Sequence, residues 1–297
     1  MSDVLQSLSE EMATLTEQIG GSVVRVEARR RLPASGVVWE KGVIVTANHV
    51  VERDEDIQIG LPNGEKVPAT LVGRDPSSDL AVLRAAFELP VPNWTTIETL
   101  RVGHLVLALG RPGETIMATL GVISALERGD KLPAAMQVDH FLQTDVVMYP
   151  GFSGGALISA SGRVLGINTS AMRGISLTIP TDTVRRVVET LMTHGKMRRG
   201  YLGIGTQTAK LSSASAERAG QAYGLLVVSV EPESPAEQGG VLIGDVLISF
   251  DGSPLQSPED LIRALRSESI GKTVPMQVVR GGALQMLQVT IGERPAH

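Results

Sequence analysis

A serine flanked by glycines is the clearest candidate for chemistry in this sequence. Ser153 lies in the run Gly151-Phe152-Ser153-Gly154-Gly155. A serine hydroxyl attacks a carbonyl only when the backbone exposes it and a neighbouring base removes its proton. Glycines permit the sharp turn that such exposure requires, and they allow a substrate to approach the backbone closely. We therefore predict Ser153 as a nucleophile, with the N–H groups of Gly151, Phe152 and Ser153 as an oxyanion hole.

The residues after Ser153 distinguish between the folds that use such a motif. The pattern G-x-S-x-G also occurs in the nucleophile elbow of α/β-hydrolases, and glycine-serine runs are frequent in plain loops. An elbow is followed by a helix. Here two short apolar runs, 156–159 and 164–167, surround the turn residues 160–162. This pattern predicts a β-hairpin, which makes an α/β-hydrolase esterase the least favoured interpretation.

Two upstream residues could complete a catalytic triad with Ser153. His49 lies in the run GVIVTANHVV, and Asp79 precedes the run LAVL. The order His, Asp, Ser is that of chymotrypsin-like proteases. Each residue alone is more simply explained as a core histidine or a turn aspartate. Because all three lie at predicted loop–strand junctions in the required order, we predict Ser153 as nucleophile, His49 as general base and Asp79 as the residue that orients it.

These residues lie in motifs that resemble those of the HtrA/Deg serine proteases. The similar motifs are A-S-G-V-V at 34–38, T-A-N-H-V-V at 46–51, D-L-A-V-L at 79–83, G-V-I-S-A at 121–125, Q-T-D at 143–145 and G-R-V-L-G-I-N-T at 162–169. The resemblance covers nearly the whole chain beyond residue 20. It implies a mainly β fold, in which a chymotrypsin-like double β-barrel is followed by one PDZ domain, and it implies proteolysis of unfolded or damaged proteins.

The resemblance also implies which residues form the primary specificity pocket. In the resembled fold its walls come from the residues before the nucleophile and from the strand after it, which here include Val147, Met148 and Met172. None of these carries a carboxylate, and a lysine or arginine buried there without a counter-charge would be costly. We therefore expect cleavage after small or medium aliphatic residues. Arg128 lies where the family places an arginine that relays peptide binding, although a solvated turn arginine explains it equally well.

The apolar pattern up to residue 180 predicts the elements that position these side chains. From Val23 onward, short apolar runs alternate with Gly, Pro and Asp turns, as in an all-β domain. A break containing two prolines at 89–92 divides the segment into two barrels, with the catalytic groups expected in the cleft between them. A helix is predicted to begin at Thr181 or Asp182 and to end at Gly195.

The remainder of the chain predicts a second, smaller domain. Apolar runs at 225–228 and 246–250 are typical of buried strands, and Ser257 followed by proline begins a helix. The segment resembles a PDZ domain, in which a peptide adds as a strand to the sheet edge while backbone N–H groups hold its terminal carboxylate. The residues that resemble the carboxylate-binding loop are Tyr201, Leu202, Gly203 and Ile204.

An amphipathic helix is predicted at the start of the chain. Its apolar residues recur at helical spacing and are Val4, Leu5, Leu8, Met12, Leu15 and Ile19. This apolar side must be buried, either against other subunits or against the protease domain, and we expect a homo-oligomer, with a trimer favoured. The predicted domains are this helix at 1–20, a trypsin-like protease domain at 21–195, a linker at 196–200 and a PDZ domain at 201–297.

Composition limits the function classes. The 297 residues carry a net charge of −5, which argues against nucleic acid as the main ligand. The absence of cysteine excludes a thiol nucleophile, disulfides and a cysteine zinc site, and we predict no metal or cofactor. No apolar run is long enough to span a membrane. Without a recognisable signal peptide, the sequence as written predicts a cytoplasmic protein, or a periplasmic or extracytoplasmic one if a leader has been trimmed.

Two functions from different classes remain. The intact triad predicts a serine endopeptidase that acts on unfolded polypeptides and whose PDZ domain binds peptide C-termini. The alternative is a non-hydrolysing peptide-binding or chaperone scaffold, because Phe152 replaces the small polar residue that the resembled family usually has there. Zymogen-type relatives pair an aspartate at this position with a freed N-terminal amine. A phenyl group cannot form that ion pair, so we expect activity without release of a new N-terminus.

Overall fold

The structure is a computed structural model that describes residues 2–128, 140–170, 176–198, 200–265 and 269–294. The chain divides into two compact units, Met1–Met197 and Arg198–His297. The division falls inside the segment 196–200, for which the sequence predicts a linker.

The first unit contains two closed six-stranded barrels, which confirms the mainly β double-barrel prediction. The first barrel has the strand order β1-β2-β3-β6-β5-β4, and every neighbouring pair is antiparallel. Its strands are β1 (Val23–Glu27), β2 (Ala34–Glu40), β3 (Val43–Ala47), β4 (Ile57–Gly60), β5 (Lys66–Asp75) and β6 (Leu80–Ala85). A short 3₁₀ helix, Asn48–Val50, follows β3 directly.

The second barrel has the strand order β10-β11-β12-β9-β8-β7. Its strands are β7 (Leu105–Gly110), β8 (Met117–Arg128), β9 (His140–Thr144), β10 (Ala156–Ser159), β11 (Val164–Thr169) and β12 (Ser176–Pro180). Strands β10 and β11 form the predicted hairpin after the glycine-serine run. Helix α2 (Thr181–His194) follows and ends at Gly195, whose φ of +69° is a left-handed conformation that glycine adopts readily.

Side chains that alternate along the strands form one core inside the first barrel and another between the two barrels. Ile44 and Leu83 belong to the interior of the first barrel, whereas Val43, Val45 and Val82 pack in the core that the two barrels share. Successive side chains of a strand point to opposite faces, so β3 and β6 can be buried on both sides. The shared core also contains side chains of α2, and it fixes the two barrels to each other.

Helix α1 (Ser2–Gly20) packs on the first unit through its C-terminal half. Leu15 is buried in the shared core, with Met12 and Ile19 against it. Val4 and Leu5 at the other end remain 71% and 67% exposed. A helix thus occupies the segment for which the sequence predicts one, and part of its apolar side is covered by its own protease unit.

The second unit contains a six-stranded sheet, a two-stranded sheet and small helices. Its main sheet has the order β14-β15-β16-β18-β19, with β17 paired to β16 and β13 paired to β20. Its strands are β13 (Gly200–Tyr201), β14 (Ile204–Lys210), β15 (Tyr223–Val230), β16 (Val246–Phe250), β17 (Ser253–Pro254), β18 (Thr273–Arg280), β19 (Ala283–Thr290) and β20 (Gly292–Glu293). Its helices are α3 (Ser213–Ala219), α4 (Pro235–Gln238) and α5 (Pro258–Ala264).

The predicted start of α5 is confirmed by its cap. Asp260 Oδ2 accepts the backbone N–H of Ser257 at 2.8 Å and the Ser257 hydroxyl at 3.0 Å, and Asp260 N–H donates to Ser257 O at 3.0 Å. Every helix in the described ranges is too short or too polar to cross a lipid bilayer.

Candidate active site

Asp79 and His49 are brought together by the pairing of β3 with β6. Asp79 immediately precedes β6, His49 lies just after β3, and Ala47 pairs with Leu80 between the two strands. Asp79 Oδ2 lies 2.8 Å from His49 Nδ1, and Asp79 Oδ1 accepts the backbone N–H of His49 at 2.9 Å. A carboxylate at Nδ1 favours the tautomer that carries its proton there, which leaves Nε2 free to act as a base.

The position of Asp79 is reinforced from the second barrel. Thr169, the last residue of β11, donates its hydroxyl to Asp79 Oδ2. Asp79 is 5% exposed, and its backbone lies in the left-handed region at φ +55°. The sequence motif at 162–169 contained Thr169, but no local signal indicated a partner 90 residues away. The threonine thus helps to hold the carboxylate that orients His49.

Ser153 lies in a loop that is tied down by backbone hydrogen bonds. Gly154 N donates to Asn168 O at 2.8 Å, and Asn168 N donates to Gly155 O at 2.8 Å. Ser35 N donates to Ser153 O at 3.1 Å, and Ser35 Oγ donates to Gly151 O at 2.7 Å. Ser35 belongs to β2 and Asn168 to β11, so both barrels hold the loop. The sequence motifs at 34–38 and 162–169 contain these two residues, but the sequence assigned a role to neither.

Glycine is required at Gly154 for two reasons. Its φ is +84°, and a Cβ added there would collide with Ser35 O and Thr46 Oγ1. The loop therefore lies closer to β2 and β3 than any other residue would allow.

The loop offers two backbone donors, rather than the three predicted. Gly151 N and Ser153 N make no hydrogen bond within the described part of the chain. Phe152 N donates to Tyr149 O at 3.0 Å, so it is not available to an oxyanion in this conformation. In this conformation the Phe152 N–H closes a turn, and the assignment of Gly151, Phe152 and Ser153 to an oxyanion hole stays a prediction.

The Ser153 hydroxyl points to a neighbouring serine. Ser153 Oγ lies 2.8 Å from Ser170 Oγ, and no hydrogen bond joins it to His49 among the described residues. Ser153 is buried, whereas the His49 side chain is 32% exposed. The hydrogen bond from Ser153 Oγ to His49 Nε2 that proton transfer requires is therefore not formed in this conformation, and catalytic hydrogen bonds often form only with substrate bound.

The Phe152 side chain fills the core of the second barrel. It is fully buried, in a cluster with Val146, Leu157 and Leu165 among others, and the Tyr149 ring meets it edge-on at 5.8 Å between centroids. Truncating a buried phenylalanine costs about 3–5 kcal/mol. Phe152 therefore anchors the loop through apolar packing and not through an ion pair.

The structure describes two of the three residues predicted to form the specificity pocket. Val147 is 55% exposed and its carbonyl accepts the hydroxyl of Thr119 at 3.0 Å. Met148 is partly buried against the Phe152 cluster. Met172 lies outside the described residues. The pocket assignment stays a prediction, as does the role of Arg128, whose side chain is also outside the described part.

The loop at 201–204 is built around Gly203. Its φ is +75°, and a Cβ there would collide with Ser234. Leu202 O accepts Ala236 N at 2.9 Å, and Gly203 O accepts Glu231 N at 2.8 Å. The carbonyls of this loop are therefore bonded to the body of the unit.

Tyr201 makes a side-chain contact beside that loop. Its hydroxyl donates to the Glu231 carboxylate, and this hydrogen bond raises the pKa of Tyr201. Within the described ranges, no group of three or more histidine and acidic side chains is arranged to hold a metal ion.

Comparisons with known proteins agree with this geometry. Residues 34–167 match the trypsin-like peptidase domain family, and residues 200–291 match the PDZ domain family. The serine endoprotease from Yersinia pestis is 33% identical, with a TM-score of 0.75 over 95% of this chain and 97% of that one. The HtrA-type protease AlgW with tripeptide is 30% identical, with a TM-score of 0.78 over 96% and 98%. The chain belongs to the HtrA family of serine proteases.

Curated HtrA relatives are longer than this chain. The probable periplasmic DegP-like serine endoprotease of Halomonas elongata is 36% identical over 277 residues, which are 91% of this chain and 58% of that protein. The corresponding protein of Ectopseudomonas mendocina is 35% identical over 279 residues, with the same coverage. The chain thus spans less than two thirds of these relatives. Both are called periplasmic, so the comparisons do not support the cytoplasmic expectation.

Proposed function

We propose that this HtrA protein is a serine endopeptidase that degrades unfolded or damaged polypeptides. The observation that carries the proposal is the pair of hydrogen bonds from His49 to Asp79. Together with two unengaged N–H groups beside Ser153, they supply an oriented base and an oxyanion site at one nucleophile.

The reaction follows from these positions. Ser153 turns from Ser170 towards His49, which takes the hydroxyl proton on Nε2 while Oγ forms a bond to the substrate carbonyl carbon. The carbonyl electron pair moves onto oxygen, and Gly151 N–H and Ser153 N–H stabilise the resulting oxyanion. His49 then gives the proton to the leaving amine as the C–N bond breaks, and water hydrolyses the acyl-enzyme by the same steps. Asp79 stabilises the imidazolium throughout.

Substrate preference and partners are further parts of the proposal. We expect cleavage after small or medium aliphatic residues, because neither Val147 nor Met148 could pair with a buried cation. We expect the 200–291 domain to bind peptide C-termini through the loop at 201–204. The HtrA-type protease AlgW has been solved with a decapeptide and with a tripeptide, which supports a peptide ligand. The periplasmic names of the curated relatives support an extracytoplasmic location.

A non-hydrolysing scaffold is the second candidate. The contact of Ser153 Oγ with Ser170 Oγ favours it, because in this conformation the nucleophile is not bonded to its base. Such a protein would hold unfolded peptides without cleaving them.

Digestion of unfolded casein separates the two functions. The full-length protein should digest it, faster when a C-terminal peptide is added, and should be labelled by an active-site-directed organophosphate. Ser153→Ala should lose on the order of 10⁶ in turnover and escape labelling. Absence of both digestion and labelling in the unaltered protein would leave the scaffold as the function. Equal digestion by Ser153→Ala would remove the triad assignment.

A further inference from the structure

Arg111, in the loop after β7, is a buried cation whose guanidinium donates to three backbone carbonyls. It is 6% exposed. Its Nε donates to Val23 O at 2.7 Å, and its Nη2 donates to Gly20 O at 2.9 Å. Its Nη1 donates to Glu114 O at 2.6 Å. Within the described residues it forms no ion pair with a carboxylate, and burial lowers the pKa of its guanidinium.

Burying a cation without a counter-charge is costly, and here three hydrogen bonds to backbone carbonyls offset part of that cost. Two of the three carbonyls lie where α1 ends and β1 begins. The guanidinium fork therefore joins the end of α1 to the start of the first barrel with fixed geometry.

The backbone of the same residue contacts the nucleophile loop through one intermediate. Arg111 N donates to Ser35 Oγ at 2.8 Å, and Ser35 Oγ donates to Gly151 O at 2.7 Å. Ser35 is fully buried, and its own N–H holds Ser153 O. The next residue, Pro112, lies so close to Gly151 that a Cβ on the glycine would collide with its ring.

These contacts fix the carbonyls of Gly151 and Ser153, whose N–H groups are the oxyanion donors of the proposed reaction. An oxyanion hole works only when its donors lie within about 2.7–3.1 Å of the developing charge. The Gly151 N–H and the Gly151 carbonyl belong to successive peptide planes that share the Gly151 Cα. The hydrogen bond from Ser35 to that carbonyl and the contact with Pro112 therefore limit how the N–H can turn, and Ser35 is held in turn by the backbone N–H of Arg111.

We propose that Arg111 is a positioning residue that couples the end of α1 to the oxyanion-hole loop through the hydroxyl of Ser35. The inference rests on the proposed endopeptidase function. It makes α1 part of the frame of the active site, so that an event that displaces α1 would weaken transition-state stabilisation without touching the triad.

The test compares Arg111→Met with Arg163→Met, a matched change at an exposed arginine of the β10–β11 turn. Cleavage of a short peptide and inhibition by a peptidyl boronic acid are measured on the full-length protein. The boronate places a tetrahedral oxygen in the oxyanion hole. Arg111→Met should lower kcat by about 10–100-fold with KM nearly unchanged, and weaken the boronate by a similar factor. Arg163→Met should change neither.

Ser35→Ala keeps the proposal testable if Arg111→Met does not fold. It removes only the intermediate hydroxyl and should reproduce the loss in kcat, and the double variant should lose no more than the larger single loss. Removing residues 1–19 should lower kcat in the protein that retains Arg111. The same truncation should cause no further loss of kcat in Arg111→Met. Losses that add, or that appear only in KM, would overturn the coupling.

Failure of the inference can be told from failure of the proposed function. An unaltered protein that neither digests casein nor reacts with the organophosphate overturns the endopeptidase, and the inference with it. An active unaltered protein with an equally active Arg111→Met overturns the inference alone.

Discussion

At the scale of the residue, the site depends on how completely the Asp79 carboxylate is engaged. It accepts the backbone N–H and ring Nδ1 of His49 and the hydroxyl of Thr169. Its left-handed backbone conformation costs on the order of 1–3 kcal/mol for a residue other than glycine. That cost is offset by three hydrogen bonds that leave the carboxylate no freedom to turn away from the imidazole.

We expect Asp79→Asn to lower kcat by about 10⁴-fold, because the amide can donate to Nδ1 and select the wrong histidine tautomer. Peptide cleavage is measured at fixed pH. The matched control is Asp56→Asn, at an exposed aspartate with nearly the same φ, +53° against +55°. Asparagine tolerates this conformation, so the control keeps its activity. An Asp79→Asn protein within tenfold of the unaltered rate would show that Asp79 does not set the tautomer.

At the scale of the element, the nucleophile loop is shaped by the strands that surround it. Strand β2 supplies Ser35 and β11 supplies Asn168, and the loop passes close to both. Asn168 is itself fixed, since its amide donates to Ala156 O and its side-chain oxygen accepts Thr178. The loop geometry is therefore a property of barrel closure.

Gly154→Ala tests how closely the loop must approach the strands. We expect it to abolish cleavage and to lower the free energy of unfolding of the first unit by clearly more than Gly64→Ala does. Both glycines have positive φ, +84° and +88°, so both substitutions incur strain of about 1–2 kcal/mol. Only the Cβ at Gly154 meets other atoms, whereas Gly64 has open space. Urea unfolding measures both, and equal losses would contradict the steric requirement.

At the scale of the whole molecule, the stability of the second unit is expected to depend on pH through two aspartates. The second unit contains an ion pair between the buried Asp245 and the partly exposed Arg280, whose Nε and Nη2 donate to the two carboxylate oxygens, each at 2.7 Å. Burial raises the pKa of Asp245, but the hydrogen bonds from Arg280 and from Leu242 N–H outweigh it and hold the pKa below its ordinary value. The same direction holds for Asp260 in the α5 cap, whose backbone and Arg263 hydrogen bonds outweigh burial.

The sign of this shift predicts that acid weakens the second unit. A carboxyl whose pKa is lower folded than unfolded stabilises above its unfolded pKa, about 3.9 for Asp, and the stabilisation is lost as pH falls through the folded value. Hydrogen-exchange protection factors across residues 198–294 of the intact chain, which correct for the slower intrinsic exchange in acid, should therefore fall between about pH 5 and pH 3. Asp245→Asn should reduce that pH dependence, and Glu217→Gln, at an exposed carboxylate, should leave it unchanged. A pH dependence equal in all three proteins would contradict the assignment.

The prediction of an oligomer rests on the exposed apolar residues at the start of α1. Val4, Leu5 and Leu8 are 71%, 67% and 39% exposed, whereas Leu15 is buried in its own unit. We expect a trimer in solution, and Val4→Ser with Leu5→Ser should lower its mass while preserving the fold, because neither side chain is buried in the protomer. Light scattering measures the mass. A monomeric unaltered protein would end the trimer prediction, and an unchanged mass in the double variant would show that this surface does not join subunits.

Local sequence patterns were sufficient to predict those features of this protein that depend on residues close together in the chain. Alternating apolar runs predicted the barrels, the order of His49, Asp79 and Ser153 predicted the reaction class, and capping residues predicted the start of α5 and the end of α2. These features follow from backbone periodicity, turn conformations and caps, which are encoded within a few residues.

Only the tertiary structure decided which groups support the triad. Thr169 meets Asp79 across 90 residues, and Ser35 meets Gly151 across 116. Phe152 N–H was lost from the predicted oxyanion hole because a turn to Tyr149 consumes it, and Arg111 gained its contacts from the end of α1. Such contacts form when the barrels close and pack, and the residues that make them carry no local signature of their partners.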